Sequence, residues 1–118
     1  MLVAAAAVCP AQVQEPPEED VQTERQIEYT LNPIQADKEL TVGKYYAKKG
    51  SNKAAARRFE EALKWNPGLG EAWLRLGDVR LKLKDEKGAR AAYERYLEAE
   101  PAGKEVKNVR KRLDGLPR

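Results

Sequence analysis

From residue 33 onward, apolar residues recur at spacings compatible with the 3.6-residue period of an α-helix, which places them toward one face. Polar and charged residues fill the positions between them. Five such series follow one another: Ile34, Leu40, Tyr45 and Tyr46; Ala55, Phe59, Ala62 and Leu63; Trp73, Leu74, Leu76, Leu81 and Leu83; Ala89, Ala92, Tyr93, Tyr96 and Leu97; Val106, Val109, Leu113 and Leu116. The pattern predicts an all-α fold of about five helices.

The residues between these series predict where the helices begin and end. Asn32-Pro33 is a start signal, because asparagine caps the free amide groups of a first turn and proline fits its first position. Ser51 and Asp85 are expected to cap the second and fourth helices in the same way. Gly50 is expected to end the first helix in the left-handed conformation.

The chain repeats itself with a period of 34 residues. Gly43, Ala55, Phe59, Ala62 and Pro67 recur in phase as Gly77, Ala89, Tyr93, Tyr96 and Pro101. A glycine in the middle of a helix costs about 1 kcal/mol relative to alanine, so its recurrence predicts a compensating close contact. We expect Gly43 to face Ala55, and Gly77 to face Ala89, across two helical hairpins.

These positions resemble the tetratricopeptide repeat, a helix-turn-helix unit of 34 residues. With units counted from Ala36 and Gly70, the matching residues are Val42, Gly43, Tyr46, Ala55, Phe59, Ala62 and Pro67, then Trp73, Leu76, Gly77, Ala89, Tyr93 and Pro101. Glu39, Arg80 and Tyr96 depart from the pattern, which expects a large apolar residue, a tyrosine and a small residue there. Residues 42–67 also resemble, less specifically, the repeats of outer-membrane-assembly lipoproteins of Gram-negative bacteria.

The resemblance implies a tandem helix-turn-helix α-solenoid and divides the chain. Residues 32–67 and 68–101 are the two predicted units, and residues 102–118 form a capping helix, because a bulky Tyr96 is expected to change how the last helix packs. Residues 12–31, with Pro16-Pro17 among glutamates, are predicted to be an acidic, disordered linker.

Residues 1–11 form a short apolar run that ends in small residues, which is typical of the end of a secretory signal. The run predicts export to the periplasm or cell envelope, whereas a cytoplasmic location follows if it is not a signal. It is too short to span a membrane. Cys9 invites a lipid-anchor reading, but Val8 before it argues for cleavage after Ala11 instead.

Charge is divided unevenly along the chain. Residues 1–31 sum to −5 and the remainder to +8, within a net charge of +3. Histidine is absent and Cys9 is the single cysteine, so a His/Cys metal site and an internal disulfide are excluded. Neither an active-site constellation nor a glycine-rich phosphate loop is present, so we predict neither an enzyme nor a cofactor.

The resemblance implies a groove, lined by the first helix of each unit, that holds a peptide segment of a partner protein. Carried over by position, the residues expected to line it are Leu40, Lys44 and Lys48 from the first unit, with Leu74, Arg75, Asp78 and Lys82 from the second. Leu40 and Leu74 would form an apolar floor. Lys44 and Arg75 would anchor acidic groups, although the asparagines of a carboxylate clamp are missing.

Other interpretations stay open at this point. The groove residues are equally consistent with a solvated helix face, and the −5 segment is a candidate to lie across the basic groove. Basic residues on the last helix suggest a polyanion partner, either nucleic acid or an anionic membrane surface. Thirteen interspersed acids argue against nucleic acid. With only two units and a cap, association with a second copy is also expected.

Overall fold

The computed structural model describes residues 28–118, which form five α-helices. They are α1 (Pro33–Lys48), α2 (Asn52–Trp65), α3 (Gly70–Lys82), α4 (Glu86–Ala99) and α5 (Val106–Asp114). The prediction of an all-α helical repeat is confirmed. The export run at residues 1–11, Cys9 and most of the predicted linker lie outside the described residues.

The helix starts follow the sequence signals with one exception. The Asn32 side chain accepts a hydrogen bond from the Gln35 backbone N–H at 3.0 Å, and Pro33 opens α1. Asp85 caps α4 by accepting from the Gly88 backbone N–H at 2.9 Å. Ser51 stands at the corresponding position of α2, but its side chain makes no cap bond, so that prediction was wrong.

The turns inside the two hairpins share one backbone conformation but not one residue type. Gly50 has a φ of 83° after α1, as expected for a left-handed stop. Thirty-four residues on, Lys84 takes the same role with a φ of 66°. A side chain in this region is strained, because its Cβ crowds the following carbonyl oxygen. The second turn therefore has the same backbone geometry as the first but lacks the glycine that adopts it without strain.

The helices stack in chain order around two adjoining apolar clusters. The first cluster joins α1, α2 and α3 and is built on Leu40, Phe59, Leu63, Leu76 and Val79. The second joins α4 and α5 through Tyr93, Tyr96 and Val109. Trp73 on α3 packs against both clusters. Burial is therefore continuous from one end of the stack to the other.

Each repeated glycine lies directly under the aromatic ring of its own unit. A Cβ added to Gly43 would stand 2.5 Å from Phe59 Cε1, and one added to Gly77 would stand 2.5 Å from Tyr93 Cε1. All three of the nearest atoms at each site belong to the ring. The close contact is therefore present, but its immediate partner is the ring instead of the expected Ala55 or Ala89.

Two of the residues that depart from the repeat pattern form ion pairs with α2. Glu39 contacts Arg58 of α2 at 3.0 Å, with its side chain only 13% exposed. Arg80 donates to the Gly88 carbonyl oxygen at 3.0 Å and contacts Glu60 of α2 at 3.0 Å. Arg80 therefore links the second hairpin to the first, whereas the expected tyrosine would pack within its own unit.

The last helix closes the stack. Val109 is fully buried, with Val106, Leu113 and Leu116 packed around it, as the apolar stripe predicted. Tyr96 is 4% exposed and its hydroxyl lies against Gly103, in the turn that leads to α5. The Arg90 guanidinium donates to the backbone carbonyl oxygens of Leu113, Leu116 and Pro117, at 3.2, 2.7 and 3.1 Å.

The segment before α1 runs against the end of α2. The Tyr29 ring meets the Trp65 ring edge-on at 4.7 Å between centroids, and the Tyr29 hydroxyl donates to Glu61 at 2.7 Å. The Asn32 backbone N–H donates to the Trp65 carbonyl oxygen. Leu31, in the same segment, is 70% exposed.

Candidate functional site

One face of α3 carries most of the predicted groove residues. Glu71, Leu74, Arg75, Asp78 and Lys82 recur at three- and four-residue spacing, so they share one side of the helix. The opposite side of α3 is anchored in the core by Leu76 and Val79, which are 1% and 2% exposed. The rotation of this helix is thereby fixed, and the candidate face is held outward.

Next to this face lies an open depression of about 460 Å³ between α3, the end of α4 and the turn before α5. Its lining residues are Glu71, Leu74, Arg75, Tyr96, Glu100, Gly103, Lys104 and Glu105. Leu74 and Tyr96 supply apolar surface, and the other side chains supply charges of both signs. A shallow site of this kind suits a peptide segment with one apolar side chain and polar neighbours.

Glu71 occupies the centre of the charged rim. Its carboxylate accepts from Lys44 Nζ of α1 at 3.0 Å and from Arg75 at 3.2 Å. Burial would raise the pKa of this carboxyl, but the hydrogen bonds and positive charges of Lys44 and Arg75 outweigh it, so the pKa is lowered. Glu71 therefore stays ionised at neutral pH and holds both predicted anchors.

Asp78 joins three helices at the far end of the same face. It accepts from the Tyr93 hydroxyl at 2.6 Å and from Arg112 Nη1 of α5 at 2.9 Å. Burial raises the pKa of the Tyr93 phenol, and the hydrogen bond to Asp78 and its charge raise it further. Asp78 thus serves the packing of α3, α4 and α5 on one another, and its charge is already matched by Arg112.

The remaining predicted residues separate into buried and exposed ones. Leu40 is 6% exposed and belongs to the first apolar cluster, so it offers little surface to a ligand. Lys48 and Lys82 are exposed and form no ion pair with any residue between 28 and 118. Of the two leucines assigned to the floor, the structure brings only Leu74 to the depression.

Sequence reasoning missed the contribution of the last turn to this site. Tyr96 was interpreted as a disturbance to packing, and Glu100, Lys104 and Glu105 were not assigned to the groove. All four line the depression because the turn before α5 folds back beside α3. The repeat contained a signal for this. The helix after Pro101 occupies the place of the first helix of a next unit, so it returns the chain to the same side as α3.

Between residues 28 and 118 there is no cluster of three or more His, Cys, Asp or Glu side chains that is able to hold a metal ion. In the same stretch, no helix combines the length and the apolar character needed to cross a bilayer.

Comparisons with known proteins agree with the repeat pattern. The family model of the tetratricopeptide repeat matches residues 46–113, which is more than half of the chain. The heat-shock protein cognate co-chaperone sgt12 of Aspergillus fumigatus is 41% identical over 58 residues. That alignment covers 49% of this chain but only 17% of the co-chaperone.

A similar solved structure is the first tetratricopeptide repeat domain of Spaghetti (RPAP3) bound to the HSP90 peptide SRMEEVD. It has 19% sequence identity and a TM-score of 0.36, with 71% of this chain and 94% of that chain covered.

Proposed function

This chain belongs to the tetratricopeptide repeat family, and from that premise we propose that it is an adaptor that holds a segment of a partner protein against α3. Members of this family mediate protein–protein interactions. The proposed site is the depression around Leu74, and the observation that carries it is the combination there of apolar surface with charged groups of both signs. No residue role in the proposal requires catalysis.

The ion pairs indicate how such a segment would be selected. Because Glu71 already binds Lys44 and Arg75, its negative charge offsets the attraction of those cations for a partner carboxylate. A carboxylate clamp is therefore disfavoured. We expect a segment that places an apolar side chain over Leu74 and exchanges single polar contacts with the rim.

The proposal is tested by selecting short peptides from a displayed library on the full chain and measuring their affinity by fluorescence anisotropy. Leu74→Ala and Lys104→Glu are expected to weaken binding about tenfold, a loss of about 1.4 kcal/mol. The matched control is Arg57→Ala, since Arg57 is exposed between α1 and α2 and away from α3. Binding that resists both groove variants but is lost with Arg57→Ala would exclude this site.

A polyanion partner is the second candidate, favoured by α5. Lys104, Lys107, Arg110 and Lys111 are exposed and form no ion pair within residues 28–118, whereas Arg112 is held by Asp78. Binding of this class falls steeply with ionic strength. Retention on a heparin column above roughly 0.3 M salt would favour it over peptide binding, since counterion release dominates such contacts.

Location in the bacterial cell envelope remains a proposal that rests on residues 1–11 alone. It is tested by fractionating cells that carry a C-terminally tagged chain. Recovery of a shortened chain from the periplasm would support export, and recovery of the full-length chain from the cytoplasm would contradict it.

A further inference from the structure

The outer face of α1 exposes large apolar side chains. The three large hydrophobic side chains exposed by more than half between residues 28 and 118 are Leu31 at 70%, Ile34 at 73% and Tyr45 at 56%. Ile34 and Val42 also line a shallow open depression of about 600 Å³ on this helix. Contiguous apolar surface of this kind usually marks a contact site.

The corresponding face of α3 is covered by a helix. Lys38, Val42 and Tyr45 stand at the same phase as Ala72, Leu76 and Val79 of α3. The three α3 residues are 0%, 1% and 2% exposed because they belong to the cluster that α3 shares with α2. No helix between residues 28 and 118 covers the outer face of α1 in the way that α2 covers α3.

The two ends of the stack are treated differently. At the far end, α5 turns Val109 inward and presents Lys107, Arg110 and Lys111 to solvent, which is how a capping helix prevents further stacking. At the near end, α1 exposes Ile34 and Tyr45 with Lys38 between them. The near end is therefore the end of the stack that is open to a further helix.

We propose that the outer face of α1 binds the same face of a second copy of this chain, with the two α1 helices antiparallel. The argument for a second copy is charge. Asp37 and Lys48 lie on one flank of α1, eleven residues apart, and both are exposed without an ion pair in the described part of the chain. A two-fold axis between Val42 and Gly43 brings Asp37 of each copy beside Lys48 of the other.

The same two charges favour the antiparallel direction. Parallel pairing about a two-fold axis would set Asp37 beside Asp37 and Lys48 beside Lys48, so like charges would face each other. The contact is isologous, so each favourable pair occurs twice. A contact centred on one pair of helices belongs to the small, reversible class of interface.

The test is sedimentation equilibrium of the full chain over a concentration series at low salt. A reversible dimer is expected, and its dissociation constant should rise with salt. Ile34→Glu and Tyr45→Glu should each weaken it at least about tenfold, because both bury a new charge at the contact. The matched control Ala91→Glu adds the same charge to an exposed position of α4 and should leave the dimer unchanged.

Charge reversal identifies the pairing itself. Asp37→Lys and Lys48→Glu should each weaken the dimer, and the chain with both changes should recover it, since the two pairs are then restored with reversed sign. Circular dichroism of every variant confirms that the helices persist. A dimer whose dissociation constant is unchanged by the charge reversals, or by Tyr45→Glu, would overturn the proposal.

A chain that stays monomeric at every concentration would overturn it as well. A chain without residues 1–27 then identifies the alternative occupant. If the full chain is monomeric and the shortened chain dimerises, the N-terminal segment of the same molecule covers α1. If both are monomeric, a helix of a different protein is the remaining partner class, and the second-copy proposal fails.

Discussion

At the scale of single residues, the two glycines at the centre of the hairpins leave space for the aromatic rings of their own units. Gly43 and Gly77 lie against the rings of Phe59 and Tyr93, which are both fully buried. The ring is held by a packed core and is unable to move aside cheaply. The missing side chain on each glycine is therefore the condition for the two helices of a unit to approach.

We predict that Gly43→Ala and Gly77→Ala each lower the free energy of unfolding by about 1–3 kcal/mol, because overpacking outweighs the gain in helix propensity. The measurement is chemical denaturation followed by circular dichroism. Gly68→Ala is the control, since its added Cβ would meet its nearest neighbour, Asn66 Oδ1, at an ordinary 3.7 Å. Stabilisation by Gly43→Ala would show that the ring is free to shift.

Lys84 supplies the opposite case, a side chain where a glycine belongs. We predict that Lys84→Gly raises the free energy of unfolding by about 0.5–1 kcal/mol, since relief of left-handed strain exceeds the added chain entropy of glycine. Gly50→Ala, at the same phase of the first unit, should lower it by about 1 kcal/mol. If both substitutions changed the free energy of unfolding by the same amount in the same direction, a shared turn geometry would be contradicted.

At the scale of helices and their contacts, Asp78 and Tyr93 form a link whose strength depends on pH. The pKa of Tyr93 is raised by burial and by Asp78. A raised pKa stabilises the folded chain below the unfolded value of about 10, and this contribution is lost as the pH rises above it. Stability should therefore fall above about pH 10.

The corresponding variant is Tyr93→Phe, which keeps the ring over Gly77 and removes the hydroxyl. We expect it to cost about 1 kcal/mol at neutral pH, the value of one hydrogen bond, and to reduce the alkaline loss of stability. Urea denaturation at pH 8 and at about pH 11 checks both expectations. Tyr45→Phe, on an exposed side chain, is the control, and the same pH dependence in both variants would refute the link.

The capping helix makes its own contribution at this scale. Val109 is fully buried between α4 and α5, so Val109→Ala should lower the free energy of unfolding by about 1–3 kcal/mol. Lys107→Ala, on the exposed side of α5, should change it by less than about 0.5 kcal/mol. If the two substitutions were equivalent, α5 would be a loosely attached helix instead of a cap.

How much the sequence predicts depends on whether a feature repeats. The hairpins follow from the 34-residue phase, since Gly43 and Phe59 recur as Gly77 and Tyr93. The pairing of Glu71 with Lys44, and the reach of Arg80 to Glu60, do not repeat and join different units. Such contacts depend on the angle between units, which no local pattern specifies. The burial of Leu40 was missed for the same reason.

At the scale of the whole molecule, the stack has three different surfaces. The face of α3 and the last turn enclose the proposed peptide site, α5 presents unpaired lysines and an arginine, and α1 presents an apolar stripe. The proposed peptide site and the proposed dimer contact centre on different helices. Loss of one is therefore expected to leave the other in place, so the two proposals are tested independently.

The most direct test of the adaptor account is to map a selected peptide on the ¹⁵N-labelled full chain by nuclear magnetic resonance. We predict that the backbone signals that shift on titration cluster around Leu74, Arg75, Gly103 and Lys104. Saturating shifts at these positions would place the partner segment in the depression beside α3. Shifts confined to Arg57 and Arg58, between α1 and α2, with the α3 signals unmoved, would contradict the account.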